Sequence, residues 1–294
     1  MSIHSYRLRA FGATDIGRKR PANEDAFLVS EDQGLFLVSD GMGGARAGAL
    51  ASAAVVQSLP LQIVAQRMAR SLGGPFNPTG VADGLVRAIG FVNEMLLEKT
   101  RGIAEVKGLG ATVVALLAVG EGTVALAHLG DSRAYLLRHG FFERLTDDHT
   151  VANMLFRSGH IARRQMHRHP MRHALTRHIG MEECPAADAV LLHLQPGDRM
   201  LLCSDGLTGM LTDREIGGIL LETGDREAVC HLLIARANEA SGRDNITAVI
   251  VDAVPEVSRE MRRRKKVVVR RAIGRSCSMP REEGKSEEGI FLAL

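Results

Sequence analysis

Three short apolar runs along the chain each end in an aspartate beside a glycine. Leu35-Phe36-Leu37-Val38 runs into Ser39-Asp40-Gly41, Val124 to Leu129 into Gly130-Asp131-Ser132, and Met200-Leu201-Leu202-Cys203 into Ser204-Asp205-Gly206. Apolar runs of this length bounded by turn residues predict buried strands. Asp-Gly is also the commonest turn signal, so any single instance reads more readily as turn chemistry. Three instances together point to carboxylates delivered to a shared site at the ends of strands, where they are held rigidly and remain reachable by solvent.

Between these runs the period changes. Ala45 to Leu59 is alanine-rich with no internal proline, and Thr79 to Thr100 carries Val81, Leu85, Ile89, Val92 and Leu96 at helical spacing, with Thr79 as its expected cap. Two hairpins are expected, one joining Thr112–Val119 to Thr123–Leu129 and one joining Arg133–Leu137 to Phe141–Leu145 through His139-Gly140. Thr212 to Glu222 and Asp225 to Ala240 read as helices, and Ile246 to Asp252 as a final strand. Antiparallel strand runs framed by helix pairs predict a layered α/β sandwich.

Composition narrows the class without naming a chemistry. With 294 residues, 45% hydrophobic and 24% charged, the chain can bury a sizeable core, and disorder throughout is excluded. No run reaches the ~18 consecutive apolar residues of a membrane span, and Met1 to Ala10 carries Arg7 and Arg9 without an apolar signal core, so a cytoplasmic location is expected. Cys184, Cys203, Cys230 and Cys277 show no paired spacing and are expected to be reduced thiols.

The net charge of +3 is unevenly spread. Residues 255–294 hold 11 Lys/Arg against 6 Asp/Glu, whereas residues 1–254 hold 26 against 28. The expected organisation is therefore one domain over 1–254 and a basic, disordered tail over 255–294. The run Arg262-Arg263-Arg264-Lys265-Lys266 suits weak contact with anionic surfaces, and no specific nucleic-acid binding is expected.

Two further segments lack the periodicity of a core: Gly17-Arg18-Lys19-Arg20-Pro21-Ala22-Asn23-Glu24-Asp25 and Gly242-Arg243-Asp244-Asn245-Ile246-Thr247. Together with Asp40-Gly41-Met42-Gly43-Gly44, Gly108-Leu109-Gly110-Ala111-Thr112, Gly130-Asp131-Ser132-Arg133-Ala134-Tyr135, Leu175-Thr176-Arg177 and Ser204-Asp205-Gly206-Leu207, they stand in an order that resembles the metal-dependent Ser/Thr protein phosphatases of the PPM (type 2C) family, in particular its compact bacterial members. The resemblance covers roughly residues 7–253. It implies an α-β-β-α fold in which a central antiparallel β-sandwich is flanked by helix pairs.

The resemblance also implies a reaction and its residues. Phosphoserine and phosphothreonine on proteins would be hydrolysed by a water activated between two Mn²⁺ or Mg²⁺ ions, in opposition to a bacterial Ser/Thr kinase. Oxygen-only ligands suit such hard divalent ions. Asp40 matches the carboxylate that bridges the two ions, and Gly41 the residue whose carbonyl ligates one of them. Asp205 and Asp244 match ligands of the other ion, Glu24 a contact through water, and Asp131 a contributor with Asp205 to a third, weaker metal site.

Arg20 matches the phosphate-binding arginine, whose planar fork a lysine would not replace. Met42 stands where many eukaryotic members have a histidine general acid, which leaves protonation of the leaving group to a bound water. Six of the eleven histidines lie between His149 and His178, without the cysteine partners of a structural zinc site, and the same stretch carries Arg157, Arg163, Arg164, Arg168 and Arg172. It falls where the family has a variable flap beside the active site, so acidic or multiply phosphorylated substrates would be favoured. A monomer is expected. The competing expectation is a catalytically weak scaffold that binds phosphoproteins.

Overall fold

Alternation along the strands sorts apolar side chains into three separate layers, and that sorting sets the architecture. The computed structural model describes residues 6–71, 77–103, 108–120, 122–183, 185–222 and 224–255. The elements in order are β1 (Tyr6–Asp15), β2 (Asp25–Ser30), β3 (Leu35–Met42), α1 (Ala45–Ser71), α2 (Pro78–Thr100), β4 (Gly110–Ala111), β5 (Val113–Gly120), β6 (Thr123–Leu129), β7 (Arg133–Arg138) and β8 (Phe141–Arg144). They continue with α3 (Val151–Arg157), α4 (Arg163–Met166), β9 (Asp188–His193), β10 (Arg199–Cys203), α5 (Asp205–Thr208), α6 (Asp213–Glu222), α7 (Arg226–Glu239) and β11 (Ile246–Pro255).

Two antiparallel sheets result. One runs β1-β11-β10-β7-β8, and the other β2-β3-β5-β6-β9 with the short β4 beside β3. On β3, Leu35 and Leu37 face the helices while Phe36 and Val38 face the opposite sheet. The middle layer holds Phe36, Val38, Val114, Leu116, Leu126, Leu202, Val249 and Val251. Outside it, α1 and α2 cover one sheet through Val55, Leu59, Leu85, Ile89 and Val92. The second sheet is covered by α6 and α7 through Ile216, Leu220, Val229 and Leu233. The order of layers is α-β-β-α, as the sequence implied.

Several local expectations need correction. Helix α1 continues past Leu59, through Pro60, to Ser71. An internal proline costs about 3 kcal/mol. Ala51, Val55, Leu59 and Ile63 form a stripe at helical spacing buried against the sheet, each larger side chain contributing about 1.5–3 kcal/mol, so burial outweighs the break. The length and composition of α1 over Arg46–Met68 would suffice to cross a membrane, but this stripe lies on the sheet.

The cap of α2 is Asn77, whose side chain accepts the N–H of Thr79, and Pro78 occupies the first turn where its missing N–H costs nothing. Strand β3 runs through Asp40 to Met42, so this aspartate sits inside a strand and not at its end. Strands β1, β2 and β9 and helix α3 were not expected from the sequence. The second hairpin does turn at His139-Gly140, both with positive φ (50° and 83°), the geometry of a two-residue turn matched to strand twist.

Cys203 and Cys230 are buried free thiols, both pushed up to about 12 chiefly by burial. Cys184 and Cys277 lie outside the described residues. The chain divides into two units, Met1–Pro255 and Glu256–Leu294, and the second, with the expected basic tail, also lies outside them.

Candidate active site

Register and loop geometry bring the aspartates together from both sheets. Asp25 on β2 stands opposite Asp40 on β3. Asp205 is the first residue of α5, separated from β10 by Ser204, and Asp244 is separated from the first residue of β11 by Asn245. Asp131 is buried in the turn after β6. Mutual proximity shows in their proton affinities. Asp40 is held well above the usual carboxylate range by burial and then by the charges of Asp25, Asp205, Asp131 and Asp244. Burial pushes Asp25 up to about 7, against the hydrogen bonds of Thr247 and Ser204 and with repulsion from Asp205 and Asp244. Asp131 is raised well above its ordinary value by burial, then by Asp205 and Asp148, with Arg133 opposing.

The scaffold that holds these groups is polar and specific. Asp40 donates its backbone N–H to Thr112 Oγ1 at 3.0 Å, and Thr112 N–H donates to the Asp40 carbonyl at 2.8 Å. Thr112 Oγ1 also lies 2.6 Å from Ser132 Oγ, which ties the Gly-Ala-Thr segment to the turn of Asp131. Asn245 fixes the loop before β2: its Oδ1 accepts the Glu24 N–H at 2.8 Å, and its Nδ2 donates to the carbonyls of Ile16 (2.9 Å) and Ala22 (3.0 Å).

Two glycines allow close approach of α1. A Cβ on Gly48 would lie 2.0 Å from Glu24 Oε2 and 2.8 Å from the Gly41 carbonyl oxygen, and one on Gly41 would lie 2.0 Å from the Gly48 carbonyl oxygen. The absence of both side chains sets the Glu24 carboxylate and the Gly41 carbonyl side by side. Glu24 is raised by burial, with Arg20 lowering it and Asp244 raising it.

Arg20 reaches this cluster directly, donating from one Nη to Asp244 Oδ2 at 2.7 Å while its side chain remains 45% exposed. A single nitrogen makes that bond, which leaves the rest of the fork for a further anion. From the other side His173 Nδ1 lies 3.7 Å from Asp205 Oδ2.

Sequence reasoning left out Asp25. Ser204 Oγ (2.7 Å) and Thr247 Oγ1 (2.6 Å) both donate to its Oδ2, whereas its Oδ1 is buried with no hydrogen-bond partner among the described residues. The signal available was alternation: Phe27, two residues on, faces the layer between the sheets, so Asp25 shares that inward face. An orphaned buried carboxylate oxygen beside other acidic groups, with no imidazole or thiolate among the donors, fits hard divalent cations that would neutralise the repulsion.

A second cluster does not fit a metal so well. His128, His149 and Asp188 offer ligand atoms within 4.8 Å of one another. The two rings are stacked, with centroids 4.6 Å apart, so their in-plane lone pairs run side by side and do not converge on one point. Both nitrogens of His149 are engaged, Nδ1 accepting the Gly130 N–H at 3.1 Å and Nε2 lying 3.2 Å from Asp188 Oδ2. Burial, followed by His128, pushes His149 down to about 4, and His128 is likewise lowered by burial, so both rings are neutral at pH 7. His149 is thus a buried brace beneath the Gly130-Asp131 turn and not part of a solvated histidine cluster.

Comparison with known proteins agrees with this geometry. Residues 12–245 match the family model "Protein phosphatase 2C". The serine/threonine phosphatase stp of Listeria monocytogenes is 34% identical over 242 residues, covering 81% of this chain and 93% of its own length. Among solved structures, the S. agalactiae serine/threonine phosphatase superposes with a TM-score of 0.75 at 30% identity, covering 84% of this chain and 99% of that one. The catalytic domain of the serine/threonine protein phosphatase PstP, solved in complex with two manganese ions, gives 0.71 at 30% identity, covering 85% and 100%. The chain therefore belongs to the protein phosphatase 2C (PPM) family, and it is a metal-dependent protein serine/threonine phosphatase.

Proposed function

We propose that phosphoserine and phosphothreonine esters are hydrolysed at the carboxylate cluster, on a binuclear Mn²⁺ or Mg²⁺ site. The observation that carries this reading is the convergence of Asp25, Asp40, Asp131, Asp205 and Asp244, with proton affinities raised at the first three, Asp25 Oδ1 left unpartnered among the described residues, and the guanidinium of Arg20 on Asp244. Asp40 would bridge the two ions, the Gly41 carbonyl would serve one, and Asp205 and Asp244 would serve the other, with Glu24 reached through water. Asp131 and Asp205 would hold a third, weaker ion. When bound, the ions supply charge neutralisation and activation of a water near neutral pH.

The chain's own groups position the substrate. Arg20 would present the free part of its fork to two phosphate oxygens, orienting the phosphoryl group for in-line attack and stabilising the charge that develops on it. Asn245 and Thr112 hold the backbones of Glu24 and Asp40 so that the site needs little rearrangement when substrate arrives. Met42 offers no proton, so a water would protonate the departing serine or threonine oxygen.

Catalysis resides in residues 1–254 and is separable from the basic tail; the family match ending at 245 supports this boundary. The cellular role we infer is that of a cytoplasmic monomer opposing a Ser/Thr kinase. Turnover of a phosphothreonine peptide, measured with Mn²⁺, with Mg²⁺ and with chelator, tests the reading: activity that appears with the ions and vanishes with chelator supports it, and chelator-resistant turnover refutes it.

A further inference from the structure

The segment between His149 and Met181 contains six arginines, six histidines and no aspartate or glutamate. The structure divides those arginines into two groups. Arg157 is paired with Asp147, and Arg177 makes a two-nitrogen pair with Asp188 at 2.8 and 3.2 Å. Arg163, Arg164, Arg168 and Arg172 are exposed and form no ion pair with any described residue.

These four lie on the flap, which is fastened to the domain at its base. Val151 N–H donates to the Ala174 carbonyl at 2.9 Å, and Thr176 N–H to the His149 carbonyl at 2.8 Å. Arg172 directly precedes His173, the residue 3.7 Å from Asp205, so the free cationic surface starts at the rim of the carboxylate cluster. Farther out, Arg163 lines a cavity of about 360 Å³ with Arg144, Thr146, Asp147 and Asp213. The acids in that cavity are already balanced: Asp147 by Arg157 and Arg144, Asp213 by Arg133 and the hydroxyl of Tyr135.

We propose that Arg163, Arg164, Arg168 and Arg172 select substrates in which the phosphorylated residue is flanked by acidic side chains. The inference rests on the phosphatase reading of the site and adds a substrate class to it. Guanidinium groups are weakly hydrated and grip carboxylates through paired N–H donors. Four of them, without an ion-pair partner among the described residues, attract a polyanionic segment from solution and hold it while its phosphate occupies the cluster. The phosphoryl contact itself stays with Arg20.

Three phosphothreonine peptides of equal length, flanked by glutamate, by alanine and by lysine, test this with Mn²⁺-loaded full-length protein at about 25 and 500 mM salt. The expected kcat/KM for the glutamate peptide exceeds that of the alanine peptide by about tenfold at low salt, mostly through KM, and the gap closes to within about twofold at high salt. Replacing all four arginines by glutamine is expected to remove the discrimination, and replacing them by glutamate to reverse it in favour of the lysine peptide. The reversal guards against mere damage to the site, because damage lowers turnover of all three peptides and does not invert their order.

Equal kcat/KM for the glutamate and alanine peptides, or a preference that survives in the glutamine variant, overturns the inference while leaving the phosphatase reading intact. If no peptide is dephosphorylated under any metal, the phosphatase reading fails, and the inference fails with it.

Discussion

The carboxylate end of the sandwich and the flap beside it solve opposite problems. At the cluster, like charges are forced together, and Asp25, Asp40 and Glu24 are tied down by hydrogen bonds with Ser204, Thr247, Thr112 and Asn245. On the flap, like charges are spread over an exposed surface, and four of them have no ion-pair partner among the described residues. Repulsion inside the cluster is affordable only because a rigid two-sheet frame opposes it, and cations would relieve it. Repulsion on the flap costs little because water and salt screen it. On the readings proposed above, one region serves chemistry and the other recognition.

If that contrast is right, substitutions should fall into a steep order. Asp40→Asn should have the largest effect, cutting turnover of a phosphothreonine peptide more than about 100-fold, because an amide cannot neutralise two cations. Steady-state kinetics on folded protein check this, and a variant keeping a tenth of wild-type turnover would remove Asp40 from the bridging position. Asn245→Ala comes next. It strands the buried Glu24 N–H and two carbonyls, so a stability loss of about 2 kcal/mol is expected, read by denaturant unfolding and accompanied by reduced activity as the Arg20–Glu24 loop loosens.

A smaller effect should appear without any mutation. Asp25 binds its proton more tightly in the folded protein, up to about 7, than an ordinary aspartate near 3.9 does in the unfolded chain. The folded state therefore holds more protons between those values, and this contribution to stability is full below about 4 and lost as pH rises towards 7. Chelated protein should melt at a lower temperature at pH 7.5 than at pH 5, and Mn²⁺ should shrink or invert the difference. An unchanged melting temperature across that range would mean that the cluster is not strained by its own charge.

The smallest effect is expected on the flap. Arg168→Gln should shift stability by no more than about 0.5 kcal/mol, since its side chain is exposed and forms no ion pair with a described residue. A larger loss by thermal or chemical unfolding would show that the flap arginines pack, and would weaken the division between the two regions.

Sequence alone determined the features that depend on near neighbours. The Leu35–Val38 and Met200–Cys203 runs, the hairpins around Gly120–Gly122 and His139-Gly140, and the two helices that follow Thr212 and Asp225 come from local periodicity and turn chemistry, and the structure has them. The same locality explains the misses. Edge strand β9 is largely exposed and carries no clean alternation, and the length of α1 past Pro60 is decided by the sheet beneath it. Asp40, Asp131, Asp205 and Asp244 were legible because each stands beside a glycine or asparagine, three of them just past an apolar run and Asp244 in an aperiodic segment.

What only the tertiary structure decided is which groups meet. Asp25 became part of the cluster through the β2–β3 register and through hydroxyls from residues 204 and 247. His149 left the surface to brace Gly130, and Arg20 found Asp244 across 224 positions of chain. Proton affinity, pairing and exposure are set by distances through space, and a linear pattern carries those only where the partners are also neighbours along the chain.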